Sequence, residues 1–253
     1  MIDVQKQRDD RNISLNQVGI KDFSMPIELR LKDGGWRPTA VKIGLFVDLD
    51  ASQKGTHMSR FVEVMQEHTR MDLDQMKSIL TEIRDRLEAK NSFIRMRFPY
   101  FVEKESPVSQ KKSWLNVEVE YFASLKGDEF EFEMKVTTPV TTLCPCSKEI
   151  SEYSAHNQRA DVSIKICRNK FFWIEDLVAI AEEAASSPLY SLLKRPDEKY
   201  VTEYAYDHPR FVEDVCREVK LAVDRLEDIR GYEIEVESFE SIHNHSAYAR
   251  VVS

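Results

Sequence analysis

Two cysteines and a histidine within one short stretch are the first residues whose types could do chemistry. In residues 141–161, TTLCPCSKEISEYSAHNQRAD, Cys144 and Cys146 flank one proline, and His156 follows the second cysteine by ten residues. The C-x-C spacing is too short for a C-x-x-C zinc knuckle or a thioredoxin-like redox pair. A catalytic metal site remains open, in which one thiolate, His156 and a third ligand leave a position for water. The alternative is a stiff turn that carries two thiols.

Further candidate residues lie closer to the C-terminus. His243 and His245, in the segment 240–249, are two residues apart, so in a strand they would point to the same face. One of them could be a ligand or a proton carrier, and an exposed strand end is the alternative. Glu198 lies in a charged segment predicted to be a loop, and Glu213 lies on the polar side of a predicted helix. Pattern alone predicts that both glutamates are solvated.

A possible anion site lies near residue 57. His57 is at the predicted N-terminus of a helix, with Lys54 and Arg60 close by in sequence. Free backbone N–H groups at a helix N-terminus add to the positive charge of such side chains, which suits an anion. Ordinary helix capping explains the same residues equally well.

Composition limits the class of protein that must position these residues. The chain has 253 residues, a 42% hydrophobic fraction and a formal charge of −8, without a long block of like charges. This balance disfavours nucleic acid as a partner, because backbone binding requires basic surface. No apolar run approaches the ~20 residues of a membrane span. The N-terminal residues lack the apolar centre of a secretory signal, so we expect a cytoplasmic protein with no membrane partner.

The predicted elements repeat one order. After a loosely ordered leader over 1–24, strands are predicted at 25–34, 39–50, 92–104, 114–125, 129–140, 160–169, 231–241 and 246–253, and helices at 57–69, 72–89, 174–187 and 209–229. Each half reads strand–strand–helix–helix–strand–strand, which indicates an α+β protein of two modules, 25–110 and 111–253. The second module carries most of the candidate residues. Open sheet edges predict pairing with another subunit.

Five segments together resemble GTP cyclohydrolase type IB. They are KGTHMSRF, TTLCPCSKEISEYSAHNQR, RPDEKYVTE, HPRFVEDVCRE and ESIHNHSAYA, and the likeness covers nearly the whole chain in order and spacing. It implies the tunnelling fold in two tandem copies and a homotetramer. It also implies metal-dependent conversion of GTP to 7,8-dihydroneopterin triphosphate and formate, the first step of tetrahydrofolate biosynthesis. The metal would be manganese, iron or zinc.

The resemblance also assigns roles to individual residues. Cys144, His156 and Glu198 would gather the metal, Glu213 would anchor the guanine base, and His243 would transfer protons. The two cysteines are not fully distinguished as ligands, and His245 receives no role. Candidate cations and polar groups for the triphosphate are His57, Arg60, Lys148, Arg159 and Lys54.

Two other functions stay open on the sequence. Another tunnelling-fold enzyme acting on a purine or pterin would share the base-anchoring Glu213 without needing the metal set. A non-enzymatic oligomeric scaffold would hold its metal in a closed four-ligand site.

Overall fold

The protein has a mixed α+β structure built mainly on antiparallel strands. The computed structural model describes residue 5, residues 7–168 and residues 172–253. The strands are β1 (Leu15–Arg30), β2 (Trp36–Leu49), β3 (Arg70–Met71), β4 (Asn91–Glu105), β5 (Lys112–Lys126), β6 (Glu129–Leu143), β7 (Asn157–Arg168), β8 (Ser187–Pro188), β9 (Ile229–Ser238) and β10 (Ala247–Val252). The helices are α1 (Met58–Gln66), α2 (Leu73–Arg86), α3 (Pro145–Ile150), α4 (Ile174–Ala184), α5 (Arg195–Asp207) and α6 (Val212–Val223).

The chain forms two compact units, the first of which comprises Met1–Pro99 and Glu120–Met134. Its strands follow the order β6-β5-β4-β2-β1-β3. Asp72 begins α2 by accepting a hydrogen bond from the Gln75 amide at 2.9 Å. Apolar residues three or four apart then form one buried stripe on this helix, consisting of Met76, Ile79, Leu80 and Ile83. This stripe meets the buried faces of α1 and the sheet, as the helical and strand periodicities predict.

The second unit comprises Tyr100–Val119 and Lys135–Ser253. Its strand order is β10-β9-β7-β6-β5-β4, and β8 pairs with β6. Helices α4 and α6 contact each other and the sheet. Their buried residues include Leu177, Val178, Ala181, Val215, Val219 and Val223. This unit contains most of the candidate residues.

Three of the predicted helices and most predicted strands are confirmed within a few residues. The helix predicted over 209–229 ends earlier, at Val223, and the leader prediction is wrong. Residues 15–24 belong to β1 and pair with β2, beginning with Leu15 opposite Leu49. Most of these residues are exposed, so no apolar alternation indicated the strand. Residues 1–4 and 6 of the leader, and residue 169 of a predicted strand, lie outside the described residues.

Three further expectations need correction. The segment 194–203 is not a loop, because it opens helix α5, where the Asp197 carboxylate accepts from the Lys194 amide at 2.8 Å. Residues 239–246 form a loop between β9 and β10, so His243 and His245 do not lie in a strand. The predicted module boundary at 110/111 falls between β4 and β5, whereas the two units divide β4, β5 and β6 between them.

None of the described helices is long and apolar enough to cross a membrane.

Candidate active site

The segment around Cys144 is held in place from both sides. The Leu143 amide at the end of β6 donates to the Ser186 hydroxyl at 3.0 Å, and the Cys144 amide donates to the His156 carbonyl at 3.1 Å. Cys144 is the N-cap of α3, and its Sγ accepts from the Ser147 amide at 3.4 Å. Cys144 is half-buried, whereas Cys146 is exposed. The backbone therefore fixes Cys144 as the inward-facing thiol of the pair.

His156 belongs to a chain of hydrogen bonds that runs through Gln158. Its Nδ1 lies 2.8 Å from Gln158 Oε1. The Gln158 amide nitrogen donates to Thr142 Oγ1 at 3.1 Å and to Glu240 Oε1 at 3.4 Å, and the Ser238 hydroxyl donates to the same carboxylate oxygen at 2.8 Å. Thr142 and Ser238 are each 1% exposed. These contacts form a buried polar floor beneath the histidine.

The floor sets the tautomer of neutral His156. A carboxylate only accepts hydrogen bonds, so Glu240 requires the nitrogen end of the Gln158 amide to face it. The oxygen end then faces His156, whose Nδ1 must donate. The lone pair of neutral His156 therefore lies on Nε2, where it can bind a metal or accept a proton. The Glu240 carboxylate, 4.0 Å from Nδ1, adds negative charge beside the ring.

A cavity of about 340 Å³ within the second unit gathers the predicted residues. Its lining includes Cys144, His156, Glu213 and His243, and the structure adds Glu240 and Arg210. The sequence predicted the first four as members of one site, and the structure brings them together. Glu240 and Arg210 each lay inside a quoted motif, but neither carried a separate signal.

The base-anchor candidate and the two histidines are exposed at this cavity. Glu213 lies in the first turn of α6, and its carboxylate has no hydrogen-bond or ion-pair partner among the described residues. The His243 and His245 rings stack with centroids 5.2 Å apart, so they share a side although they lie in a loop. Tyr248 also lines the cavity. Its hydrogen bond to Glu235 raises its pKa to about 12, which keeps the phenol protonated at neutral pH.

Glu198 is the predicted ligand that the structure leaves outside the cavity. It is exposed in the first turn of α5 and does not contribute to the lining. Within the part of the chain that the structure describes, no three His, Cys, Asp or Glu side chains form a ready metal-binding group. Of the three predicted metal ligands, Cys144 and His156 therefore line the cavity, whereas Glu198 does not.

The predicted triphosphate residues also lie outside the cavity lining. The Arg60 guanidinium donates to the Arg86 carbonyl at 2.6 Å at the end of α2, and His57 is the N-cap of α1. Lys148 donates to the Tyr206 carbonyl at 2.5 Å, with its ammonium 4.1 Å from the centre of that ring. Two further candidates, Arg159 and Lys54, do not line the cavity either.

Comparison with known proteins identifies the family of this chain. The family model described as type I GTP cyclohydrolase folE2 matches residues 1–249. A GTP cyclohydrolase FolE2 of Thermotoga maritima is 51% identical over 251 residues, covering 99% of this chain and 96% of that protein. A GTP cyclohydrolase FolE2 of Geobacter sp. is 49% identical over 250 residues, covering 98% of this chain and 93% of that protein.

A solved structure supports the fold independently of sequence. The hyper-thermostable AgUricase mutant superposes with a TM-score of 0.59 at 7% identity, covering 94% of this chain and 91% of that chain. At this identity the likeness concerns the fold alone, and uricase is a tunnelling-fold protein. The predicted α+β tunnelling fold is thus confirmed. The family match over residues 1–249 and the relatives at about 50% identity show that this chain belongs to the type I GTP cyclohydrolase FolE2 family.

Proposed function

We propose that this chain is a GTP cyclohydrolase of type IB that opens the guanine ring of GTP. It would release formate and yield 7,8-dihydroneopterin triphosphate, the first step of tetrahydrofolate biosynthesis. The observation that carries the proposal is the single cavity lined by Cys144, His156, Glu213 and His243. These residues supply the base anchor, the proton carrier and the two donor atoms that ring hydrolysis needs.

Glu213 is suited to select guanine. A carboxylate can accept two hydrogen bonds, one from the guanine N1–H and one from the 2-amino group. Adenine offers an acceptor at N1, so it would leave the carboxylate without that partner. The lack of a competing partner for Glu213 among the described residues leaves both oxygens available.

His243 is suited to move protons at the reacting end of the base. Protonation of guanine N7 makes C8 susceptible to attack by water, and an imidazole can deliver and recover that proton as a general acid and base. The exposed loop position of His243 leaves the ring accessible to a bound base.

We also propose that the site uses a divalent metal, namely manganese, iron or zinc. The cysteine sulfur of Cys144 and the Nε2 lone pair of His156 are donors of the type that such metals accept, and Glu198 is the proposed third ligand. A metal bound there would activate the attacking water. The hydrogen bond between His156 Nδ1 and Gln158 leaves the metal-binding lone pair of neutral His156 on Nε2.

Homo-oligomerisation, as a tetramer, is part of the proposal. Large apolar side chains lie exposed on segments that flank the cavity residues, including Ile150 at 83%, Tyr153 at 93% and Ile242 at 64% exposed. Large exposed apolar side chains are suited to contact with another protein surface. A second copy of the chain could cover them and bring in Glu198.

A fluorescence assay tests the activity. The full chain is incubated with GTP and manganese, iron or zinc in turn, the product is oxidised, and pterin fluorescence is measured, with ATP as the matched control. We expect fluorescence from GTP only. No pterin with any of the three metals, from a folded protein, would contradict the proposal and favour the non-enzymatic scaffold.

Mixing two inactive variants tests where Glu198 acts. His156→Ala and Glu198→Ala should regain activity together, because about a quarter of the sites in randomly mixed oligomers would receive both intact residues. His156→Ala mixed with Glu213→Ala is the control and should stay inactive, since both residues line one cavity of one chain. No recovery in the first mixture, with exchange verified by mass spectrometry, would assign Glu198 to the site of its own chain.

A further inference from the structure

Arg210 occupies a fixed position between the two ends of the candidate active site. Its backbone amide donates to the Leu143 carbonyl at 3.0 Å, directly beside Cys144. Helix α6, which carries Glu213 in its first turn, begins two residues later at Val212. Arg210 lines the cavity. Arg210 is therefore linked to the residue before Cys144 by a hydrogen bond, and it precedes Glu213 by three residues.

The guanidinium of Arg210 retains unused donors. Its Nε is buried and has no hydrogen-bond partner among the described residues. Arg210 Nη1 lies 3.9 Å from Glu218 Oε1, and this distance is too long for a direct hydrogen bond. The side chain is 34% exposed. A buried donor without a partner is costly, and a ligand oxygen would satisfy it.

The charge of the cavity indicates which ligand group suits this arginine. Of the described residues that line the cavity, Arg210 is the only lysine or arginine, whereas Glu213 and Glu240 contribute negative charge. Lys148 and Arg60, predicted to bind phosphate, already donate to protein carbonyls. A polyphosphate substrate requires a cation near this site, and a planar guanidinium matches phosphate oxygens with two parallel donors.

We propose that Arg210 binds a phosphate group of the nucleotide, an inference that rests on the proposed GTP cyclohydrolase function. The residue would recognise the triphosphate, while Glu213 recognises the base. The two contacts are separable, because one ligand can be offered with phosphates and another without them.

The test compares two ligands that cannot be hydrolysed at the ring. In 7-deaza-GTP and 7-deazaguanosine a carbon replaces N7, so the protonation that precedes ring opening is blocked, while N1–H and the 2-amino group remain. Calorimetry on the full chain gives the Kd of each ligand for the parent, Arg210→Gln and Arg210→Lys. Arg217→Gln is the matched control, because this exposed arginine pairs with Asp214 and does not line the cavity.

We expect Arg210→Gln to weaken 7-deaza-GTP binding by about 10- to 100-fold and to leave 7-deazaguanosine within about twofold, as for loss of one charge-assisted hydrogen-bonded contact. Arg210→Lys should lose less, and Arg217→Gln should match the parent. The ratio of the two Kd values is insensitive to the folded fraction, so partial unfolding does not obscure the result.

Equal weakening of both ligands by Arg210→Gln would overturn the inference and assign the arginine to the base, for example to guanine O6. No weakening of either ligand would overturn it as well. A parent chain that binds neither ligand would overturn the proposed function together with this inference. Parent binding with an unchanged ratio in the variant overturns this inference alone.

Discussion

Replacing Glu213 by Gln should separate substrate recognition from folding. The carboxylate is exposed and has no partner among the described residues, so its replacement should change the free energy of unfolding by no more than about 0.5 kcal/mol. The glutamine amide retains one acceptor but presents a donor to the guanine N1–H or 2-amino group. Loss of one charge-assisted hydrogen bond of about 1.5–3 kcal/mol lowers GTP affinity by about 10- to 100-fold, and the charge lost from the other bond adds to this effect.

The assay is calorimetric titration with 7-deaza-GTP, alongside urea unfolding of the same preparations. Glu203→Gln provides a control, because this exposed glutamate pairs with Lys199 on α5 and does not line the cavity. A Glu213→Gln variant that binds within threefold of the parent would refute the assignment of the base to this residue. A large loss of stability would instead refute the view that the carboxylate has no structural role.

Three further predictions concern the cavity and the helix that carries Glu198. Cys144→Ala should abolish GTP turnover, whereas Cys146→Ala should retain a measurable part of it; equal loss in two folded variants would contradict the assignment of the inward thiol. Gln158→Leu should shift the His156 tautomer, seen in imidazole ¹⁵N chemical shifts of the metal-free protein, and weaken Mn²⁺ binding by about 10- to 100-fold; unchanged shifts would rule out its positioning role. Asp197→Asn should lower the urea midpoint at pH 7, with the difference from the parent shrinking below about pH 4; a difference independent of pH would contradict the charge-dependent role.

The sign of the Asp197 effect follows from its contacts. Burial alone raises the pKa of this carboxyl, but hydrogen bonds from Ser109, Lys194 and Val108 outweigh burial and hold the pKa well below its usual range. A lowered folded-state pKa stabilises the protein above the unfolded value near 4, and this contribution is lost as the pH falls through the folded value. The hydrogen bonds from residues 108–109 also fix the start of α5, because Asp197 directly precedes Glu198 in this helix.

Elements with a buried face were predictable, and elements without one were not. The alternation of Val41, Ile43, Leu45 and Val47 predicted β2, because these four buried side chains share one face of that strand. The first part of β1 has mostly exposed side chains, so its pairing with β2 left no apolar pattern to read. Helix α5 was missed although RPDE carries a start signal, namely proline in the first turn and an aspartate that accepts from the N-cap amide.

The residues of the candidate site also separate into those that the sequence predicted and those that it did not. The spacing of Cys144 and His156 drew attention to the metal donors, because sulfur and imidazole are uncommon and chemically distinctive. Gln158 and Glu240 did not stand out, since an ordinary polar residue becomes functional only through the contacts that the fold gives it. Arg210 was overlooked for the same reason, because the sequence does not reveal which arginines already donate to protein carbonyls.

The contrast between the floor and the rim of the cavity has a functional consequence. The floor, which includes Thr142, Gln158 and Ser238, is fully hydrogen-bonded below His156, and a satisfied buried network holds one geometry. Three residues are proposed to meet the substrate. Within the described part of the chain, Glu213 and the Nε of Arg210 have no hydrogen-bond partner, and His243 lies in an exposed loop. Substitutions in the floor should therefore alter the orientation of His156 and the metal affinity, whereas substitutions at the rim should alter ligand affinity with little change in stability. A site built this way holds its reactive group rigidly while its recognition groups remain unsatisfied until the nucleotide binds.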